Sequence, residues 1–373
     1  MFDFTFTQGS LSLSVYCFIL FMLLILTSFS TCTKIHIARN YSLRKRQFFL
    51  VGVAIFSVTC FINGDFYHYS EMVHNYDFLD IKANHGEPVY GYIINFLHNN
   101  YFMFRIVVWG GATYLLSKTI QQLGLDDYKI IFYLFTSYIL TFAYARASLA
   151  FGFYYYGIAL ICSSKKSNWQ IIKGLLLLIC SYYFHYSMVV VIALTPIIFL
   201  PFNWKTIGLT FLFIPLFFSI FKDVISSALI DNIFFENEDL SNLFVQHAQR
   251  EFAEVNWKGQ IYEWSNYLTY FIPLIVLTYC GYFKKKINFP FYIAALFKIS
   301  FALTILAVMF LFLDIEGKVF FYRVLFMTFI PLSILVYYYA EHRIIKRKTF
   351  MYLILIGLAA QLYRFFYSIY LYI

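Results

Sequence analysis

Charged residues are scarce in this chain of 373 residues. They make up 13% of the sequence, whereas hydrophobic residues make up 61% and the mean hydropathy is +0.70. A soluble protein of this length needs a charged surface around one or two cores, and this chain has too few charges to cover one. The composition therefore excludes an ordinary soluble protein and predicts that lipid is the solvent for much of the surface.

Motifs for nucleotides and metals are also missing from the sequence. It contains no P-loop, no dinucleotide-binding glycine fingerprint and no HExxH zinc motif. The histidines of one loop (His68, His74 and His85) are spaced too irregularly to favour a metal site. Six cysteines without paired spacing are interpreted as buried thiols, namely Cys17, Cys32, Cys60, Cys162, Cys180 and Cys280. We therefore predict no cofactor and no metal.

Long apolar runs recur along the whole sequence. About twelve of them are long enough, or nearly so, to cross a bilayer as helices. They lie at about 11–31, 48–63, 89–117, 130–145, 147–162, 169–184, 187–201, 205–221, 266–283, 290–313, 319–339 and 349–371. The run 89–117 is too long for one straight span and contains His98-Asn99-Asn100, so we expect a short interfacial or re-entrant helix before a true span. The first run lacks the features of a cleaved signal peptide.

Basic and acidic residues alternate between the connecting segments. Basic residues mark every second connection, whereas the long segments 64–88 and 222–263 are acidic. The basic connections contain Lys34 to Arg46, Lys118 and Lys129, Lys165 and Lys166, Lys205, Lys284 to Lys286, and Arg343 to Lys348. With about twelve spans, all basic connections lie on one side, which the positive-inside rule assigns to the cytoplasm. This topology accounts for the net charge of +9 without a nucleic-acid partner.

The sequence thus predicts an all-α fold, a polytopic transmembrane helical bundle of about twelve spans. Residues 1–373 would form a single integral membrane domain, with extracytoplasmic loops at about 64–88 and 222–263. Both termini would lie on the extracytoplasmic side as well.

Several cations fall inside or at the edge of the apolar runs. They are Arg105, Arg146, Lys298, Arg323 and Arg364. An arginine at the centre of a lipid-facing helix costs about 2.5–3.5 kcal/mol on insertion scales, so these side chains are expected to face a protein interior or a wet cavity. By the predicted topology the four arginines lie toward the extracytoplasmic side, where guanidinium groups suit a pyrophosphate. The alternative is that each reaches the interface or pairs with a loop carboxylate.

Three further polar residues are candidates for proton transfer. His185 lies in Tyr-Tyr-Phe-His-Tyr-Ser at the predicted turn between two short spans, where an imidazole suits acid–base chemistry near pH 7. Asp65 and Glu87 bracket the first acidic loop. The alternatives are a histidine that packs among aromatic rings and two ordinary, solvated loop carboxylates.

Five short motifs occur in one order along the chain. They are Asp65-x-x-x-Tyr69, Glu87-Pro88-x-Tyr90, Arg146-x-x-x-Ala150, Phe184-His185-x-Ser187 and a late Arg323. This pattern resembles the EpsG family of exopolysaccharide polymerases, relatives of the Wzy-type O-antigen and capsule polymerases, over about residues 50–330. The family often has glutamine after the arginine, whereas this chain has Ala147.

The resemblance implies a glycosyltransferase with a GT-C-like membrane architecture in a bacterial inner membrane, its active site facing outward. It would join undecaprenyl-pyrophosphate-linked oligosaccharide repeat units, with Arg146 and Arg323, helped by Arg105 and Arg364, on the pyrophosphate. His185, Asp65 or Glu87 would activate the acceptor hydroxyl. A chain-length regulator and a flippase of the same pathway are the expected protein partners. The alternatives are an O-antigen ligase or related transferase and a flippase or transporter of lipid-linked sugars.

Overall fold

The computed structural model describes residues 88–97, 100–142, 145–163, 167–201, 257–283, 289–310 and 324–372, together with Ile19. Within these residues all regular structure is helical and there is no strand. The predicted all-α class is therefore confirmed for the described part of the chain. Asp65, Glu87 and Arg323 lie outside the described residues, as does most of the segment 222–263.

The described helices are numbered α1 to α10 in chain order. They are α1 Pro88–Phe96; α2, made of Tyr101–Arg105, a π-helical turn Ile106–Gly110 and Gly111–Gln122; α3 Asp127–Phe142; α4 Ala145–Ile161; α5 Asn168–Phe184; α6 Met188–Leu194, continued by the 3-10 helix Thr195–Phe199; α7 Trp257–Phe283; α8 Phe291–Phe310; α9 Phe329–Glu341; and α10 Arg347–Tyr372. Ser167 caps α5 in a capping box, accepting from the Gln170 backbone N–H at 3.2 Å.

Two features of the predicted organisation are tested by these bounds. The run 89–117 is divided as expected, since α1 ends at Phe96 and α2 begins at Tyr101. The last residues of the predicted loop 222–263 are helical, because α7 begins at Trp257, while the extracytoplasmic placement of the segment stays a prediction. The first turns of α7 contain Lys258, Gln260 and Glu263, whose polarity lowers the hydropathy although the backbone is helical.

Three of the described helices are long and apolar enough to cross a membrane: Phe291–Met309, Val324–Glu341 and Arg347–Tyr367. Four shorter apolar helices accompany them, at Lys129–Ile139, Ala147–Ile161, Met188–Phe199 and Tyr267–Gly281. One face of α5 exposes large apolar side chains, among them Trp169, Ile172, Leu176 and Ile179, as expected of a surface in contact with lipid. The chain is therefore a helical membrane protein, while the number of about twelve spans and the GT-C architecture stay predictions.

Helix α4 packs between α2 and α5. Gln122 Nε2 donates to Ser163 Oγ at 3.2 Å, and near the other end of the same pair of helices Gly111 faces Leu149, so α2 and α4 run parallel. Helix α5 runs antiparallel to α4 and approaches it closely, because a Cβ atom on Gly157 would lie 2.8 Å from the Gly174 carbonyl oxygen. Small residues at such crossings allow backbones to pack directly in membranes.

Helix α3 packs between α9 and α10. The rings of Tyr133 and Phe350 stack with centroids 6.1 Å apart, and Gly357 lies against Ser137, so α3 and α10 run parallel. Helix α9 is antiparallel to α3, since Phe329 lies near Tyr138 and Tyr337 near Lys129. These contacts bring the first described residues of the α9 segment to the end of α3 that leads into α4.

The buried cation Lys298 has a structural partner. Its Nζ donates to the carbonyl oxygens of Ile198, at 2.8 Å, and Leu200, both at the end of the 3-10 helix that follows α6. The last carbonyls of a helix have no partner within it, and a cation near them is favourable. Lys298 therefore ties the end of the short α6 segment to α8, which accounts for a charge inside an apolar span.

We expect Gly357→Ala to destabilise the bundle by about 1–3 kcal/mol, because the added methyl group overpacks the contact between α3 and α10. A Cβ atom there would lie 2.6 Å from the Ser137 Cβ and 2.9 Å from its Cα. The measurement is thermal unfolding of purified protein in detergent. The matched control is Gly110→Ala, where nothing lies within 4 Å of the added carbon. Equal melting temperatures for the two variants would contradict the close packing of α3 on α10.

Candidate functional site

Two of the predicted pyrophosphate ligands, Arg105 and Arg364, are buried toward the end of the bundle where α3 ends at Phe142 and α4 begins at Ala145, which we call the α3–α4 end. Arg105 lies there on α2 and is almost fully buried, with 1% of its surface exposed. Its guanidinium carbon lies 5.2 Å from the ring centroid of Trp109, a cation–π contact within the π-helical turn that follows. Turns of this kind are often found at functional sites.

The axial position of Arg105 follows from the parallel packing of α2 and α4. Gly111 faces Leu149, Arg105 precedes Gly111 by six residues, and Arg146 precedes Leu149 by three. With a rise of about 1.5 Å per residue, positions 105 and 146 lie within about one helical turn of each other along the bundle.

Arg364 lies on α10 and is 2% exposed. It lies seven residues, or about two helical turns, beyond Gly357, which packs on Ser137 of the parallel helix α3. Arg364 is thus on the side of that contact that leads to the α3–α4 end. The sequence placed Arg105 and Arg364 in the interior only as one of two alternatives, and burial of both supports the interior alternative over one in which they reach the interface.

Arg146 is the second residue of α4 as the structure describes that helix. Position 146 is one turn before Ala150, which is fully buried.

The remaining predicted ligands and bases lie outside the described residues. Arg323 directly precedes Val324, where the described chain resumes. Val324 precedes Phe329 by five residues, on the side of Phe329 that leads to the α3–α4 end. Glu87 directly precedes Pro88, the first residue of α1, and proline is common at the first position of a helix.

His185 ends α5 and separates it from α6. Its backbone is extended, with φ −159° and ψ 111°, and its N–H donates to the Ser181 and Tyr182 carbonyls, both at 3.1 Å. The ring is half-buried. The preceding residue, Phe184, stacks on Phe153 of α4 with ring centroids 4.8 Å apart. His185 therefore lies within about two helical turns of Arg146 along α4.

Gln361 is a buried polar residue that the sequence reasoning missed. It is 2% exposed and lies on the same face of α10 as Gly357 and Arg364, at spacings of four and three residues. The sequence signal for this position is the spacing Gly357-x-x-x-Gln361-x-x-Arg364, which places the three residues on one face of a helix. This face of α10 changes from a close helix contact to a polar surface as it approaches the α3–α4 end.

The described part of the site combines the buried guanidinium groups of Arg105 and Arg364 with the imidazole of His185 at the end of α5. Arginine binds phosphate oxygens in a bidentate manner, and its charge is weakly screened when buried. No group of three histidine, cysteine or acidic residues able to hold a metal occurs among the described residues. Chemically, the arrangement suits a phosphate-bearing, lipid-linked ligand at one end of a membrane bundle.

The described residues define a helical membrane protein with two buried arginines toward one end of the bundle. Comparison with known families gives a match to the EpsG family over residues 45–372. The chain therefore belongs to the EpsG family, a family of Wzy-type exopolysaccharide polymerases. No curated protein and no solved structure matches the chain. The family assigns a membrane polysaccharide polymerase, which agrees with the resemblance found in the motifs.

Proposed function

We propose that the protein polymerises undecaprenyl-pyrophosphate-linked oligosaccharide repeat units into O-antigen, capsule or exopolysaccharide at the outer face of the bacterial inner membrane. The observation that supports this most is the burial of Arg105 and Arg364 toward the α3–α4 end, in a chain of the EpsG family. A lipid-linked pyrophosphate donor is already activated, so no nucleotide-binding fold is needed.

The proposed reaction is transfer of a growing glycan to a sugar hydroxyl of another lipid-linked unit. The acceptor oxygen forms a bond to the anomeric carbon, and the bond from that carbon to the pyrophosphate oxygen breaks. The pyrophosphate departs with the electron pair, and Arg105, Arg146, Arg323 and Arg364 stabilise its charge. The proton of the acceptor hydroxyl passes to a base, for which His185, Asp65 and Glu87 are the candidates.

A flippase of lipid-linked sugars is the second candidate, since it also needs cations in a membrane cavity. Against it, the sequence shows no repeated halves of the kind that many transporters have. Deletion of the gene separates the two functions. A polymerase mutant accumulates single repeat units on the lipid at the outer face of the membrane, whereas a flippase mutant accumulates them at the inner face. Accumulation at the inner face would contradict the proposal.

The orientation of the site is tested by labelling. We expect the segments 64–88 and 222–256 to be extracytoplasmic, because they are acidic. Single cysteines at Ser70→Cys and Ser241→Cys, in a chain without native thiols, should react with an impermeant maleimide in intact spheroplasts. Lys285→Cys, in a predicted cytoplasmic connection, is the control and should react only after the membrane is broken. Protection of either outer position would contradict this topology.

A further inference from the structure

The turn between α9 and α10 exposes a dense group of basic side chains. Residues 342–346 connect the two helices, and Arg343, Lys346, Arg347 and Lys348 are all exposed. No acidic residue follows Glu341 in the chain. We call Arg343, Lys346, Arg347 and Lys348 the basic turn.

The basic turn is held in one conformation by the residues between its charges. Ile344 and Ile345 are buried, and the N–H groups of both donate to the Tyr339 carbonyl oxygen, at 2.8 and 3.2 Å. The turn therefore closes back onto the end of α9. As a result, its four cationic side chains share one anchored surface.

The basic turn lies at the depth of lipid headgroups. The two segments that flank it, Val324–Glu341 and Arg347–Tyr367, are both long and apolar enough to cross the membrane. Because the connection between them is only a few residues long, it cannot extend far from the bilayer surface. A soluble protein partner would have to approach this surface between the headgroups, whereas lipid phosphates are already there.

Two features of the basic turn are unfavourable for the stability of the fold: a backbone conformation and the charges at the start of α10. Arg343 has φ +55°, a left-handed conformation in which glycine is favoured at the end of a helix. Arg347 and Lys348 begin α10, and its first turn contains no acidic residue, although the positive end of a helix disfavours cations. A bound anion offsets both costs, since it neutralises the cations and accepts from the first N–H groups of the helix.

We propose that the basic turn is a binding site for the phosphate groups of anionic phospholipids. The site lies at the end of the bundle opposite the α3–α4 end, because α3 and α10 run parallel and Arg364 lies near the far end of α10. It is thus separate from the proposed pyrophosphate site. Basic residues at a membrane surface attract anionic lipids, and short basic clusters beside spanning helices are typical of such sites.

The test is lipid binding to the purified full-length protein, measured by native mass spectrometry with phosphatidylglycerol and phosphatidylcholine. The wild type should bind phosphatidylglycerol more tightly. Removing two of the charges with Arg347→Gln and Lys348→Gln should weaken that binding by roughly thirtyfold. The matched control, Lys118→Gln with Lys173→Gln, removes two charges elsewhere and should retain the preference. Equal binding of both lipids by the wild type, or an unchanged preference in the double variant, would overturn the proposal.

Arg343→Gly separates binding from folding. Glycine adopts the positive φ without strain, so this variant should melt at a higher temperature than the wild type. The same variant should bind phosphatidylglycerol more weakly, because one cation is lost. A variant that is more stable and still binds the lipid as tightly as the wild type would exclude Arg343 from the site. An acidic protein that binds the wild type in place of phosphatidylglycerol would overturn the assignment to lipid.

Discussion

Arg146→Lys is expected to reduce polymerisation by about a hundred- to a thousandfold, while the protein stays in the membrane at normal abundance. Lysine keeps the charge but loses the planar fork of donors that binds two phosphate oxygens together. Loss of one contact to charge that develops in the transition state typically costs about 2.7–4 kcal/mol. The measurement is the rate of polymer formation by purified variant and wild-type proteins with the same lipid-linked substrate.

The control for Arg146→Lys is Arg39→Lys, because Arg39 lies before residue 45, where the match to the family begins. It should polymerise at the wild-type rate. A near-normal rate of polymer formation by Arg146→Lys would mean that polymerisation requires only a cation at this position, or no cation at all. Arg146 would then be assigned to the structure of the α3–α4 end rather than to the leaving group.

Three substitutions of His185 are expected to distinguish its possible roles as a catalytic base, as a group that orients the acceptor and as a packing residue. If the imidazole removes the proton from the acceptor hydroxyl, His185→Asn and His185→Ala both lose about a hundred- to ten-thousandfold in rate. If it only orients the acceptor, Asn retains much more activity than Ala, because the amide replaces one hydrogen bond. We expect the first result, since the extended backbone at His185 ends α5 within about two helical turns of Arg146.

A different result is expected if His185 is only a packing residue. His185→Phe would then be expressed well and make polymer at the wild-type rate, because the ring of Phe184 already packs on Phe153 and a second ring would extend that contact. That result would leave Asp65 and Glu87 as the candidate bases. His36→Asn and His36→Ala, before the family match, are the controls and should change nothing.

The sequence predicted the class of fold and several boundaries because hydropathy records them directly. The polar triplet His98-Asn99-Asn100 predicted the division between α1 and α2, and the short runs around His185 predicted the break between α5 and α6. The start of α7 was missed, since Lys258 and Glu263 are polar in a helix that extends beyond its apolar part. Hydropathy reports contact with lipid and not helical backbone as such.

The candidate site was predicted only as a set of residue types. Burial of Arg105 and Arg364 was one of two alternatives, because hydropathy does not distinguish an interior arginine from one that reaches the interface. Their position toward one end of the bundle depends on how neighbouring helices are aligned, and that alignment is set by close contacts such as Gly357 on Ser137. Such contacts join residues far apart in sequence, so a single sequence gives no signal for them. The role of Lys298 was ambiguous for the same reason, since the carbonyl groups to which it donates are far away in sequence.

We propose that this chain alone joins lipid-linked repeat units and releases a pyrophosphate carrier. The most direct measurement incubates the purified protein with undecaprenyl-pyrophosphate-linked repeat units and follows both the glycan and the released lipid. We expect a ladder of polymers, with one undecaprenyl pyrophosphate released for each new glycosidic bond. We also expect both products to be lost together in Arg146→Lys. Movement of intact substrate across proteoliposomes without any new bond would contradict the proposed polymerase and favour the flippase.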